Sequence, residues 1–171
     1  MKKIFYLVII LLSFNTSLMA EKSLSEDDML EFKLEAKDEY IVSQPVMIKF
    51  TLENLSDKKL WVLTWNTPLE GVKNNIFQLV CNGQDIVYEG PMVKRGKPGT
   101  NDYVCIDEGG KISAEIDLAT IYNLSLPGTC HLAFRGQIQS LVIGDHLSIG
   151  GDEEKRLIQI PGNTVNFLLT R

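Results

Sequence analysis

Short runs in which apolar and polar residues alternate recur along most of this chain. Such alternation places the apolar side chains on one face of a strand. Phe32, Leu34 and Ala36 alternate with charged residues in the first run, and Val46 to Leu52 form the second, opened by Pro45. Later runs, separated by turn-forming residues, are Leu60–Trp65, Ile76–Val80, Ile86–Tyr88, Tyr103–Ile106, Ile112–Leu118, Cys130–Phe134 and Val165–Leu169. The recurrence predicts an all-β sandwich or barrel.

Turn-forming residues between these runs predict the local connections. Asn82-Gly83 is a favoured hairpin signal between two apolar runs. Glu89–Asn101 is rich in glycine and proline and carries the one clearly basic stretch after residue 20, so we expect a long exposed loop there. Thr120–Leu124 is compatible with one helical turn.

The first twenty residues have the pattern of a cleavable secretory signal. Lys2 and Lys3 precede an apolar run, Ile4–Phe14, and a short polar stretch closes on Ala20. That run is about eleven residues long, against roughly twenty for a spanning helix, so we expect no membrane span. Leu18 occupies a position where export peptidases prefer a small residue. Cleavage a few residues away from Ala20 therefore stays an open alternative. We therefore expect a signal peptide over residues 1–20, a polar lead-in over 21–30 and a single domain over 31–171, exported to a periplasm or secreted.

Charge and cysteine content narrow the class of protein. Without residues 1–20 the formal charge moves from −5 to −7, because two lysines leave and no acidic residue does; this balance does not favour a nucleic-acid partner. Three cysteines in an oxidising compartment allow one disulfide within a monomer. Cys130 shares its alternation with core residues, whereas Cys81 and Cys105 lie near strand ends, so we favour Cys81 with Cys105 while the pairing stays open.

Residues that could carry catalysis are scarce. His131 and His146 are the only histidines and neither has metal-site spacing; alternation predicts that His131 faces outward. No serine-nucleophile elbow, phosphate-binding loop or dinucleotide motif occurs. We expect no enzyme activity, no metal and no cofactor.

A series of short motifs in order along the chain resembles one known family. The series comprises Trp65-Asn66-Thr67-Pro68-Leu69-Glu70-Gly71, Phe77, Asn82-Gly83, Tyr88-Glu89-Gly90, Lys94-Arg95-Gly96, Asp102-Tyr103, Asp117-Leu118, Pro127-Gly128-Thr129 and Asn163-Thr164-Val165. It resembles the N-terminal propeptide domain of the aspzincin zinc metallopeptidases, the deuterolysin and peptidyl-Lys endopeptidase group, from about Leu30 to the C-terminus. The resemblance implies an immunoglobulin-like antiparallel β-sandwich. The family's catalytic zinc ligands lie in a following domain and have no counterpart in this sequence.

The same resemblance implies a protein partner, since such propeptides cover the protease cleft and assist folding. A separate copy would bind and inhibit an aspzincin-type protease, with the loop Pro91–Thr100 presenting Lys94 or Arg95 to an acidic pocket. The candidate partner-binding residues are Trp65, Glu70, Lys94, Arg95, Gly96 and Lys97. The same residues also have a purely structural interpretation. Trp65 and Tyr103 would then be packed aromatics, with the Tyr103 hydroxyl bonded to backbone, and Lys94, Arg95 and Lys97 would be loop charges that aid solubility. The alternative function is an envelope or extracellular binding or adhesion module without a protease partner.

Overall fold

The computed structural model describes Ser25, residues 28–149 and residues 157–171. The expected signal peptide and most of the polar lead-in lie outside the described residues. Among the described residues no helix is long and apolar enough to cross a bilayer. The strands are β1 (Leu30–Glu35), β2 (Glu39–Ile41), β3 (Met47–Asn54), β4 (Leu60–Leu63), β5 (Phe77–Cys81), β6 (Gln84–Asp85), β7 (Tyr103–Ile106), β8 (Lys111–Asp117), β9 (Gly128–Phe134), β10 (Leu141–Ile143) and β11 (Val165–Thr170).

These strands form an immunoglobulin-like sandwich. One sheet has the order β1-β3-β8 and the facing sheet has the order β2-β11-β9-β5-β6. The order matches strands A-B-E of an immunoglobulin domain on one side and G-F-C on the other. The ladders are antiparallel except that β2 pairs in parallel with β11. A third sheet, β10-β4-β7, is built from segments that lie between these strands in the chain.

The core lies between the two main sheets and is centred on aromatic side chains. The ring of Phe134 from β9 lies 5.1 Å from Phe32 and 5.3 Å from Phe50, which belong to β1 and β3. Phe77 from β5 completes the group at 5.7 Å from Phe134. These contacts join the sheets face to face, because alternation turns every second side chain of each strand inward.

Most of the strands predicted from alternation are confirmed, with shifted ends. The run from Leu60 ends as a strand at Leu63, and the predicted turn at Thr120–Leu124 is instead a 3-10 helix at Leu118–Thr120. The predicted hairpin turn is confirmed: Asn82 and Gly83 both have positive φ, 52° and 78°, as a type I′ turn requires. Its second strand is Gln84–Asp85 and not the predicted Ile86–Tyr88, of which only Tyr88 forms an isolated bridge. Two short strands, β2 and β10, were not predicted, because three residues are too few to establish a period.

A buried asparagine joins the first and third sheets. The Nδ2 of Asn54 donates to the carbonyls of Lys58, Ile106 and Asp107 at 2.7, 3.1 and 2.9 Å. Its Oδ1 accepts from the backbone N–H and the hydroxyl of Ser56 at 2.9 and 2.7 Å. Asn54 is fully buried, so this one side chain satisfies the backbone where β3 bends into β4 and β7 into β8.

Candidate partner-binding surface

The segment Trp65–Gly71, called the tryptophan loop below, is held mainly by its own hydrogen bonds. Where β4 ends, the N–H and the Oγ1 of Thr64 both donate to the carbonyl of Asp102 at 2.9 Å. The buried Thr67 hydroxyl donates to the Thr64 carbonyl at 2.6 Å and accepts from the N–H two residues later at 3.2 Å. Thr67 therefore caps the 3-10 helix Pro68–Glu70, whose leading proline has no N–H to satisfy.

Glu70 joins the tryptophan loop to the basic loop, which is defined as Glu89–Asn101. Its Oε1 accepts from the N–H of Asn66 at 2.9 Å, and Asn66 has a φ of 57°, a conformation that asparagine tolerates better than most residues. Its Oε2 forms an ion pair with the guanidinium of Arg95. The Glu70 side chain is 10% exposed and that of Arg95 is 27% exposed. Both carboxylate oxygens of Glu70 are thus engaged within the chain.

Arg95 also covers the tryptophan of the same cluster. Its Cζ lies 5.2 Å from the ring centroid of Trp65, the geometry of a cation–π contact. Trp65 is only 7% exposed, and its Nε1–H has no hydrogen-bond partner among the described residues. Trp65 is therefore a packed residue, and Arg95 lies on its own chain instead of extending as a free cation.

Further contacts dock the start of the basic loop. The Tyr88 hydroxyl donates to the carbonyl of Pro91 at 2.8 Å, and the ring lies so close to Gly90 that a Cβ there has no room. The N–H of Val93 donates to the carbonyl of Lys73 at 3.1 Å and to Oδ1 of Asn74 at 3.2 Å. The Tyr-Glu-Gly motif thus shapes the loop.

Lys94, Gly96 and Lys97 are among the exposed residues of the basic loop, together with Met92, which is 78% exposed. We call these four residues the paired-loop surface. Gly96 stands in open space, so neither its φ nor a close neighbour explains a glycine there. Sequence reasoning did not select Met92; its only signal is an apolar side chain inside a polar loop.

The tyrosine that follows the basic loop differs in one detail from expectation. Tyr103 is half-buried on β7, and its hydroxyl donates to the Oγ of Ser140 at 2.9 Å. The expectation that this hydroxyl bonds to backbone is wrong. The Asp102 carboxylate before it accepts from the N–H of Gly99 at 2.8 Å and closes the end of the loop.

The disulfide joins Cys81 to Cys130, so the pairing of Cys81 with Cys105 is wrong. The two bonded residues are direct neighbours on β5 and β9, with Cα atoms 4.1 Å apart. The N–H of Asn82 bonds to the Thr129 carbonyl, so the cysteines occupy the adjacent non-hydrogen-bonded position, where strands approach most closely. Cys105 is a half-buried free thiol on β7, and burial, followed by nearby Asp107, raises its pKa.

The histidines lie on the surface. His131 is exposed on β9, as predicted, and its Nδ1 lies 2.8 Å from the Oδ1 of Asn166. His146 is exposed beside Asp145. Within the part of the chain that the structure describes, no three His, Cys, Asp or Glu side chains are grouped so as to hold a metal ion.

A separate cleft of about 310 Å³ opens between the edge strand β6 and the segment 123–126. Asp85 and Glu89 contribute carboxylates to its lining, and Val87 and Leu126, 75% and 76% exposed, contribute apolar surface. None of the six candidate partner-binding residues lines it. The cleft offers a second concave surface with an acidic and apolar character.

Comparison with known proteins gives one partial sequence match. No protein-family model matches the chain. Over 84 residues it is 30% identical to an extracellular protease of Aeromonas hydrophila, a stretch that is 48% of this chain and 24% of that protein. Among solved structures, the CARDB domain of the PF1109 protein from Pyrococcus furiosus, in complex with di-metal ions, aligns with a TM-score of 0.33 and 8% identity over 82% of this chain and 91% of that one. The chain thus spans about a quarter of the length of the protease that it matches in sequence.

Proposed function

We propose that this chain is an exported, non-catalytic β-sandwich that binds an aspzincin-type metalloprotease and inhibits it or assists its folding. The proposal is supported by the ordered motifs that resemble the aspzincin propeptide domain. The match to an extracellular protease over only 24% of that protein is consistent with similarity to one part of a protease.

The observation that carries the proposal is the docking of the basic loop onto the tryptophan loop. Arg95, Glu70 and Trp65 hold the basic loop from inside, so the paired-loop surface is ordered before any partner arrives. An ordered loop loses less conformational entropy on binding. Lys94 then acts as the presented cation, while Arg95 acts as the internal support.

Lys94 and Met92 suit the entrance of a protease cleft for different reasons. A lysine gains most from a carboxylate that binding removes from water. An exposed apolar side chain such as Met92 gains by burial, about 25 cal/mol for each Å² removed from water. Together they favour a partner whose pocket has an acidic base and an apolar wall.

The test is the residual activity of a purified peptidyl-Lys-type aspzincin on a fluorogenic peptide while residues 21–171 are titrated in. A saturable loss of activity, with the added protein intact by mass spectrometry, is the expected result. Refolding yield of the same protease, with and without the protein, measures assistance in folding. No inhibition at micromolar concentration together with no gain in refolding yield would refute the proposal.

Two variants separate the loop mechanism from mere charge. Lys94→Glu is expected to weaken inhibition at least about tenfold, since it places a carboxylate against the acidic pocket. Lys37→Glu, at an exposed lysine in the turn between β1 and β2, is the matched control and should inhibit like the wild type. Equal inhibition by both variants would refute the role of Lys94 while leaving the partner in place.

The alternative is an extracellular binding module without a protease partner, and the cleft beside β6 favours it. Its lining presents the carboxylates of Asp85 and Glu89 beside the apolar Val87 and Leu126, so it suits a basic and apolar ligand, which the basic paired-loop surface does not. Binding to surface or matrix components that Asp85→Lys abolishes, with no effect on any aspzincin, would support this alternative.

A further inference from the structure

The sheet edges of this protein are not equally protected. The outer edge of β1 is covered by residues 161–163: the Phe32 N–H bonds to the Pro161 carbonyl, and Asn163 bonds to both the N–H and the carbonyl of Leu34. The outermost strands β2, β6 and β10 have two or three residues and β7 has four. Strand β8 has seven residues and contains neither proline nor glycine. It is the longest open edge in the described part of the chain.

The register shows which backbone groups of β8 point away from the sheet. The Asn54 N–H bonds to the Gly110 carbonyl and the Leu118 N–H to the Val46 carbonyl, so the even-numbered residues of β8 bond to β3. The N–H and C=O groups of Lys111, Ser113 and Glu115 therefore point to the free edge. No backbone hydrogen bond from another described segment reaches these three residues on that side.

The core-facing residues of β8 are only partly covered, although the 3-10 helix Pro68–Glu70 packs close to this strand without a backbone hydrogen bond to it. Ile48, Phe50 and Leu52 of the neighbouring β3 are fully buried. Ile112 and Ala114, which face the same core from β8, are only half-buried. The difference leaves apolar surface beside unpaired backbone, the two features that attract another strand.

The charges on the outer face of β8 are complementary to those of a second β8 strand that runs in the opposite direction. Lys111 pairs with Glu53 of β3 at 2.9 Å, and Glu115 lies beside Lys49. Ser113, between them, is neutral and bonds to Thr51. In an antiparallel pair of β8 strands centred on Ser113, each Lys111 lies opposite the partner copy's Glu115.

We propose that two copies of this chain associate through β8, antiparallel about Ser113, to form a continuous sheet. Lys111 of each copy then lies between Glu53 of its own chain and Glu115 of the other. Glu115 correspondingly lies between Lys49 and the other copy's Lys111. Opposite charges on directly facing residues favour this register, whereas a parallel pair would place each lysine beside its equivalent.

Charge substitutions give a test that does not involve any protease. Sedimentation equilibrium of residues 21–171 is expected to show a reversible dimer. Lys111→Glu and Glu115→Lys should each raise the dissociation constant about tenfold or more, because each places like charges opposite one another at both ends of the paired strands. Mixing the two single variants should restore association, since every facing pair is then opposite in charge.

Ser113→Pro tests the backbone bonds separately, because its N–H points to the free edge and contributes nothing to the ladder with β3. This variant should abolish the dimer while circular dichroism shows an unchanged fold. Thr51→Pro is not a suitable control, because it removes a backbone hydrogen bond between β1 and β3. A wild-type monomer at high micromolar concentration would overturn the proposal. A dimer indifferent to the charge variants and to Ser113→Pro would do the same.

Discussion

The chain contains two Asn-Leu-Ser triplets, and the structure predicts very different costs for truncating their asparagines. Asn54 and Asn123 each accept a hydrogen bond from the serine N–H two residues later, at 2.9 and 3.3 Å. Asn123 is exposed and makes no other bond in the described structure, whereas Asn54 is fully buried and also bonds to three carbonyls. Asn54→Ala is therefore the perturbation and Asn123→Ala its matched control.

The magnitude follows from the capacity of one amide. Two N–H groups and two lone pairs support about four good hydrogen bonds, each contributing about 1 kcal/mol net to stability. Water entering the space left by the amide would recover part of this. We expect Asn54→Ala to lower the free energy of unfolding by about 2–4 kcal/mol and Asn123→Ala by less than about 0.5 kcal/mol.

Urea unfolding followed by tryptophan fluorescence measures both values, provided that circular dichroism gives the same transition. The m-value should stay constant, because neither change alters the surface exposed on unfolding by much. Equal small losses for the two variants would refute the reasoning that Asn54 holds the bends between the sheets.

Three further outcomes are expected. Peptide mapping without reduction should recover Cys81 linked to Cys130, with Cys105 as the alkylated thiol, and a disulfide involving Cys105 would contradict this pairing. Because burial raises the pKa of Cys105, alkylation of the native protein should be slower than that of a free thiol at the same pH. Burial raises the pKa of Tyr122 from 10.0 to about 12, so the unfolded state loses the phenol proton at lower pH than the folded state does. The free energy of unfolding should therefore fall between those pH values by at most about 2–3 kcal/mol. An equal fall in Tyr122→Phe would exclude Tyr122 as the cause. Arg95→Ala should destabilise by about 1 kcal/mol and increase acrylamide quenching of tryptophan fluorescence, as the indole loses its cover; unchanged quenching would contradict the stacking.

Strand prediction from the sequence succeeded where one face of a strand is buried over several residues. In β1, in β3 and in β9 from Cys130 onward, every second residue is buried, so the period is visible in the residue types. The Asn82-Gly83 turn could also be predicted, because few residues other than asparagine and glycine accept positive φ at both positions. The strands β2 and β10 could not, since their pairing depends on β11 and β4, which are distant in the chain.

The candidate site was predicted as a set of residues, and its arrangement was not. Trp65, Glu70 and Arg95 were all selected, yet the sequence interpretation treated Arg95 as a cation that a partner could bind. Only the folded chain brings a guanidinium at position 95 onto a carboxylate at 70 and an indole at 65. That contact moves the proposed binding role to Lys94.

The sequence by itself thus determined the all-β class, the main strands, the hairpin and the exposed basic loop, because these depend on side-chain periodicity and on local backbone preferences. The tertiary structure decided the disulfide, the internal role of Arg95, the buried position of Asn54 and the open edge of β8. Each of these depends on which distant segments become neighbours. Strand register settles that question: Cys81 faces Cys130 only because β5 and β9 pair as they do, while Cys105 lies in a different sheet.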